Sequence, residues 1–240
     1  SLRTVEGLAR GRSEARETDP VKPVLTEAIE AVRGLVSRQV KAMIDLQLLT
    51  GMRPGEVVIL RACDIEDLSA SVWTYAPETH KTEHHDCDRI IEIGRRSQTI
   101  IKGFLTNNTT AYLFSPQDAV AEQNVKALTH RRANQKPNRR MTGRKVGTRY
   151  TVASYRRAIH RACDKAFPPP EGLTDDQTKQ WQHEQRWSPN QLRHNAATRL
   201  RKEFGIDVAR AVLGHRSASV TEVYAEIDRE KVREAVAKTG

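Results

Sequence analysis

Two stretches in the last quarter of the sequence carry its clearest helical signal: SPNQLRHNAATRL at residues 188–200 and LGHRSASVTEVYAEID at residues 213–228. Apolar residues recur through them, and through the segment between them, at the three- and four-residue spacing of a helix. This spacing predicts a run of consecutive helices at this end of the chain. It assigns five side chains to the core, namely Leu200, Phe204, Val208, Val212 and Leu213.

Upstream, the pattern predicts one long helix from Leu25 to Leu49 that is ended by Gly51. Another helix restarts with Pro54 in its first turn, where proline costs no hydrogen bond. Residues 71–78 (SVWTYAPE) and 88–94 (DRIIEIG) are rich in β-forming residues and predict two antiparallel strands around a polar loop. Further helices are expected over about residues 97–105, 116–128, 151–167, 174–185 and 229–238. The predicted fold class is α+β, mainly α with a small antiparallel β-sheet.

The charge balance favours a polyanionic partner. The 240 residues include 40 Lys+Arg and 30 Asp+Glu, so the formal charge is 40 − 30 = +10 and the pI is about 9.8. Nucleic acid is the first candidate and an anionic membrane surface the second. No apolar run approaches the roughly 18 residues of a spanning helix, and no signal-peptide pattern is present. The three cysteines exclude a disulfide framework and indicate a reducing, cytoplasmic environment.

The positive charge is concentrated in one tract. No Asp or Glu occurs from Gln123 to Cys163, and residues 126–150 read as a basic arm without helical periodicity at its centre. Such a tract can be merely solvated, but so many unopposed cations favour contact with phosphates. The candidate DNA-binding residues are Lys126, Arg131, Arg132, Lys136, Arg139, Arg140, Arg144, Lys145, Arg149, Arg156 and Arg157.

Two further segments, TGMRPGE at residues 50–56 and THKTE at 79–83, complete an ordered set with the two C-terminal stretches. Together the four segments resemble the catalytic domain of the tyrosine recombinase (phage integrase) family, over roughly residues 20–235. The most specific part is LGH followed nine residues after its histidine by Tyr224, in an S-x-x-x-T-x-x-Y-A setting. The resemblance implies that family's fold, with residues 1–20 as a linker or the remainder of an upstream domain and 21–240 as the catalytic domain.

The resemblance also implies a chemistry. In this family a tyrosine hydroxyl attacks a DNA phosphodiester, forms a 3′-phosphotyrosine and frees a 5′-hydroxyl. Permanently charged guanidiniums bind the phosphate, so no metal is required. The phosphotyrosine conserves the energy of the broken bond, so rejoining requires no ATP. The matching residues are Tyr224 as nucleophile, Arg53 and Arg193 on the phosphate, Lys81 as general acid, His215 as a phosphate hydrogen-bonding group and Glu56 as a carboxylate bracing the arginines.

One position departs from the family pattern. Asn190 stands three residues before Arg193, where the family usually has histidine. An amide donates a hydrogen bond to a phosphate oxygen but cannot shuttle a proton, so an active but slower enzyme is expected. His194 follows Asn190 by four residues and would share its helix face.

The resemblance implies a site-specific recombinase, encoded by a mobile element or its host, that acts on double-stranded DNA in the cytoplasm, associated with the nucleoid. It implies a homotetramer in synapsis, a monomer when free, no cofactor and no membrane. Two alternatives are a non-catalytic DNA-binding remnant and a type IB topoisomerase-like enzyme.

A group of residues in the predicted hairpin has the side-chain types of metal ligands, namely His80, His84, His85 and Cys87. Their spacing does not match the paired Cys/His motifs of a structural zinc site, so a polar hairpin tip is favoured over a metal site. The terminal helix is expected to be donated to a neighbouring protomer or to fold back on its own domain.

Overall fold

The computed structural model describes residues 21–79, 89–129, 146–214 and 233–239. Over these ranges the chain is mainly helical with one small antiparallel sheet, which confirms the predicted fold class. The strands are β1 (Ile65–Glu66), β2 (Trp73–Tyr75) and β3 (Ile91–Ile93). The helices are α1 (Thr26–Arg33), α2 (Arg38–Thr50), α3 (Pro54–Val58), α4 (Arg95–Lys102), α5 (Pro116–Thr129), α6 (Val152–Ala166), α7 (Asp175–Gln185), α8 (Pro189–Phe204), α9 (Ile206–Leu213) and α10 (233–239).

The long first helix predicted from Leu25 to Leu49 is wrong, because two helices replace it. α1 ends before Gly34, and α2 begins after Ser37. The Ser37 hydroxyl accepts a hydrogen bond of 3.3 Å from the backbone N–H of Val40. A serine that caps an N-terminus satisfies one of the amide groups that a new helix leaves open, so it starts a helix where the apolar spacing alone indicates continuity.

The sheet has the order β1–β2–β3 and is antiparallel throughout. The predicted pair of strands is confirmed, with Trp73 opposite Ile93 and Tyr75 opposite Ile91. β1 was not predicted, because its two residues are too few to show an alternating pattern. In the structure Ile65 pairs with Tyr75 and is buried, so β1 adds a third strand to the sheet.

Two apolar clusters hold the described helices together. The larger includes Met43 and Ile44 of α2, Trp73 of β2 and Leu192 of α8. The smaller joins α8, α9 and α10. It contains three of the five side chains that were assigned to the core, and Phe204 packs against it. Leu200, Val208, Val212 and Leu213 are buried and Phe204 is half-buried.

α10 packs against its own chain through Ala235 and Val236, which are buried in the smaller cluster. A guanidinium N–H of Arg96 donates to the carbonyl of Thr239 at 3.2 Å, and Arg233 lies 3.6 Å from the Glu92 carboxylate. The described part of the terminal helix therefore folds back on its own domain. Within the four described ranges, no helix has the length and apolar character to cross a membrane.

Gly51 holds the turn between α2 and α3 in a left-handed conformation, with φ of +68°. A Cβ at this position would lie 2.6 Å from Cδ2 of Leu213. We expect Gly51→Ala to lower the free energy of unfolding by about 2–4 kcal/mol, since it adds backbone strain to overpacking. Urea denaturation measures this change.

The matched control is Gly172→Ala, because Gly172 has φ of +86° and no atom within 4 Å of its would-be Cβ. This variant carries the strain alone and should lose about 1–2 kcal/mol. Equal losses in the two variants would show that the contact between Gly51 and Leu213 adds nothing.

Candidate active site

Arg53 and Glu56 are positioned by the start of α3. Pro54 occupies the first helical position, and Arg53 is the residue before it. Glu56 is the third helical residue, from which its carboxylate reaches back to the Arg53 backbone N–H at 2.6 Å. The other carboxylate oxygen of Glu56, Oε1, accepts from Nη1 of Arg53 at 2.9 Å. This capping arrangement is local, so the short segment TGMRPGE suffices to bring the two side chains together.

Arg193 reaches the same place from α8. Its Nη1 donates to the Gly51 carbonyl at 2.6 Å and its Nη2 to the Leu213 carbonyl. Two of the five guanidinium N–H donors are therefore spent on backbone groups at the ends of α2 and α9. The residue is buried, and these two bonds fix the orientation of its guanidinium plane.

A third arginine, which sequence reasoning missed, completes the cluster. Arg89 precedes β3, and its Nε donates to Oε1 of Glu56 at 3.1 Å. The Arg89 side chain is only 5% exposed and that of Glu56 only 3%. The one available signal was a basic residue at the start of an otherwise apolar strand, IIEI, which does not reveal a partner 33 residues away.

The cluster carries an excess of positive charge. Three arginines and one glutamate give 3 − 1 = +2 over these four side chains. Burial, with the charges of Arg53 and Arg89, lowers the pKa of Arg193 to about 10. Burial likewise lowers the pKa of Arg89, and Arg53 adds to this while Glu56 opposes it. Such a desolvated cationic cluster is suited to bind an anion, because an incoming negative charge relieves the repulsion.

Glu56 remains an anion in this cluster. Burial alone would raise the pKa of its carboxyl, but the Arg89 charge and the hydrogen bonds from Arg53 and Arg89 outweigh burial and lower it. The Tyr75 hydroxyl donates to the Glu56 backbone carbonyl at 2.8 Å, which ties α3 to β2. The carboxylate is thus held as a fixed acceptor between two guanidiniums.

A cavity of about 690 Å³ opens beside the cluster. Its lining includes Arg53, Glu56 and Asn190, together with Arg149 and Thr151. The predicted Asn190 therefore faces the same space as the predicted Arg53. Arg149, which lies in the tract predicted to be a basic arm, lines the same cavity.

Several predicted site residues lie outside the described part of the chain. These are Lys81, His215 and Tyr224 among the catalytic set, and Arg131, Arg132, Lys136, Arg139, Arg140, Arg144 and Lys145 among the DNA-binding set, as well as the histidine- and cysteine-rich hairpin tip. Lys126 lies on α5, and Arg156 and Arg157 are exposed on α6. The catalytic and DNA-binding roles of all these residues stay predictions.

A sequence model of the phage integrase family matches residues 24–231. The chain belongs to the phage integrase family. The matched range contains every residue of the cluster described above. No curated protein was found to match this family member.

Solved structures similar to this integrase-family chain include three recombinases. The XerH site-specific recombinase bound to difH substrate in a pre-cleavage complex has 16% identity and a TM-score of 0.48, and the match covers 88% of this chain and 54% of that one. The XerA recombinase has 19% identity and a TM-score of 0.49, with 94% of this chain and 66% of that one covered. The Tn1549 transposon integrase in complex with a circular intermediate DNA has 16% identity and a TM-score of 0.49, with 90% of this chain and 67% of that one covered. The chain therefore spans about half to two thirds of the length of these proteins.

Proposed function

We propose that this chain is the catalytic part of a site-specific DNA recombinase, an integrase that cuts and rejoins one DNA strand at a time. The observation that carries the proposal is the cluster in which half-buried Arg53 and buried Arg89 share the carboxylate of Glu56, with buried Arg193 beside them. Two members of the cluster, Arg53 and Glu56, line a cavity large enough for a phosphodiester and its neighbouring sugars. Membership of the phage integrase family supports the assignment of that anion to DNA.

In the proposed reaction the Tyr224 hydroxyl attacks the scissile phosphorus. The P–O bond to tyrosine forms as the P–O bond to the 5′-oxygen breaks, so the total of phosphoester bonds is unchanged. The tyrosine hydroxyl loses its proton to solvent water, and Lys81 supplies a proton to the leaving 5′-oxygen. Arg53 and Arg193 take the charge that develops on the non-bridging oxygens, with His215 and Asn190 as additional donors. The reaction as proposed needs neither a metal ion nor ATP.

We infer that the basic arm grips double-stranded DNA on either side of the scissile phosphate. Arg149 supports this, because it lines the cavity and is held over the Tyr112 ring, its guanidinium carbon 5.3 Å from the ring centroid. Arg156 and Arg157 extend the positive face along α6. Binding should weaken steeply with salt, as phosphate contacts release counterions. The proposal includes a homotetramer on DNA, a monomer when free, and action in the cytoplasm at the nucleoid.

Asn190→His should preserve or raise the rate of strand cleavage. Asn190 is exposed and lines the cavity beside Arg53, so an imidazole fits there without a burial cost. It would add a group able to carry a proton near neutral pH. Single-turnover cleavage from pH 6 to 8 measures the change, with Asn190→Ala as the control that removes the amide donor. A large loss of rate in Asn190→His would show that this position has another role.

The proposed function is tested by covalent trapping. The 240-residue chain is incubated with duplexes of randomised sequence that carry a nick, so that cleavage releases a short fragment and prevents rejoining. Adducts that survive denaturation are recovered, and the linked peptide is mapped. The proposal requires a link at Tyr224 that Tyr224→Phe abolishes. Binding without any adduct would favour the non-catalytic remnant, whereas relaxation of supercoiled plasmid without sequence preference would favour a type IB topoisomerase-like enzyme.

A further inference from the structure

We propose that Arg89 is a positioning residue, which couples the phosphate-binding arginines to the end of α9 from which His215 follows in the chain. The inference rests on the proposed function for its catalytic consequence. Its structural part, the coupling of Glu56 to α9, stands on the contacts of Arg89 itself.

Arg89 bridges two elements that are far apart in sequence. Its Nε donates to Oε1 of Glu56 at 3.1 Å, and its Nη1 donates to the Val212 carbonyl at 3.3 Å. The same Nη1 contacts the Ile90 carbonyl at 3.2 Å, which holds the guanidinium against the start of β3. One buried side chain therefore links α3, β3 and α9.

The end of α9 depends on arginines for its hydrogen bonds. The last four carbonyls of a helix have no partner within it, and cations are favoured near them. Arg89 binds the carbonyl of Val212, and Arg193 binds that of Leu213. These neighbouring carbonyls are thus held by two guanidiniums of the cluster. A shift at either arginine is transmitted to the end of α9.

Gly214 shows how closely Arg89 is fitted to this helix end. Gly214 closes α9 in a left-handed conformation with φ of +64°. A Cβ added there would lie 2.6 Å from Nη1 of Arg89 and 3.3 Å from its Cζ. The guanidinium occupies the space that the missing side chain leaves. The residue after Gly214 is His215, so this contact lies directly before a proposed catalytic residue in the chain.

Arg89 also shapes the charge available to the phosphate. It shares Oε1 of Glu56 with Arg53, so the carboxylate does not neutralise Arg53 alone. Its Nη2 is buried and has no partner among the described residues. A guanidinium placed only to fill volume would be served as well by a methionine, which carries no desolvation cost. A positioning role and a packing role therefore predict different outcomes for Arg89→Met.

The test compares Arg89→Met with Arg186→Met in the 240-residue chain. Arg186 forms a two-bond pair with Asp164, each bond 2.7 Å, away from the cluster, so it controls for the loss of an arginine–carboxylate pair. On a duplex recovered by covalent trapping, Arg89→Met should cleave about 10- to 100-fold more slowly at saturating DNA, because a small misplacement is costly in rate. Its Kd for DNA should stay within about twofold, since the basic arm is intact. Arg186→Met should keep the wild-type rate.

Combination with Glu56→Gln separates positioning from packing. If Arg89 acts through Glu56, the double variant loses little beyond the larger single loss, whereas independent effects multiply. A folded Arg89→Met chain that cleaves at the wild-type rate would overturn the proposal. If Arg89→Met does not fold, Arg89→Lys tests the proposal instead. Lysine keeps a cation but lacks the planar fork whose separate nitrogens bind Glu56 and Val212, so this variant should still cleave more slowly.

A second measurement does not depend on cleavage. Inorganic sulfate should raise the Tm of the wild-type chain by binding the cluster, and Arg89→Met should reduce that rise by about half or more. If the wild-type chain forms no adduct on any duplex yet this reduction is seen, the proposed function fails and the positioning role stands. An unchanged sulfate effect in a folded Arg89→Met chain would overturn the positioning role even if the wild-type chain cleaves DNA.

Discussion

Arg193→Lys should lower the rate of DNA strand cleavage by about 10³-fold. Loss of a preorganised donor to a developing negative charge costs about 10²- to 10³-fold in rate, and this change also releases the side chain from its backbone anchors. The Arg193 guanidinium is a planar fork that is anchored to the carbonyls of Gly51 and Leu213, and its remaining donors form no hydrogen bond within the described part of the chain. A lysine ammonium has no such plane and cannot hold both carbonyls and a phosphate. Single-turnover formation of the covalent adduct measures the effect.

Arg201→Lys is the matched control for this prediction. It makes the same substitution on the same helix, α8, at an exposed position. It should leave the rate within about twofold of the wild type, as surface changes away from special features have small effects. A rate for Arg193→Lys within tenfold of the wild type would mean that charge alone suffices at this position, and that the two backbone anchors contribute nothing to catalysis.

Glu56→Gln should lower the free energy of unfolding at pH 7 by about 3–5 kcal/mol, the loss expected when one partner of a buried ion pair is removed. The glutamine keeps the shape of the side chain, but it leaves Arg53 and Arg89 without a counter-charge beside Arg193. Urea denaturation measures the loss. Glu122→Gln is the control, because Glu122 also accepts from an arginine, Arg38, but is partly exposed, and it should lose no more than about 1 kcal/mol.

The effect of Glu56→Gln should also depend on pH. The folded pKa of Glu56 lies below its ordinary value of 4.5, so its carboxylate contributes stability that is fully present above pH 4.5. This contribution is lost as the pH falls through the lower, folded pKa. The difference between wild type and Glu56→Gln should therefore be constant near neutral pH and shrink below pH 4.5. A difference that keeps its full size in acid would contradict the assigned ion pair.

Local sequence was a good guide wherever the structure is built from neighbouring residues. The segment around Arg53 and Glu56 follows from a proline at the first helical position and a glutamate at the third, both of which act within one turn. The spacing of Asn190 and Arg193 on α8 follows from helix periodicity. Family membership was likewise readable from four ordered segments, and the match over residues 24–231 confirms it.

Local sequence was a poor guide where a single residue or a distant partner intervenes. Ser37 divides the first predicted helix through one capping bond, a signal that apolar spacing does not contain. β1 exists because Ile65 finds Tyr75 across the sheet, not because two residues favour a strand. In both cases the element is set by a hydrogen bond or a strand pairing, which the pattern of apolar residues in the sequence does not reveal.

The family, the helical character, the concentration of positive charge and the candidates Arg53, Glu56 and Arg193 were all readable from the amino-acid sequence. The fold was needed to show that Arg89 joins them, that the cluster holds one carboxylate for three guanidiniums, and that two of these guanidiniums bind the end of α9. The difference lies in the range of the interactions. Capping and periodicity act within a few residues, whereas burial and Coulomb interactions act between side chains that the fold alone brings together.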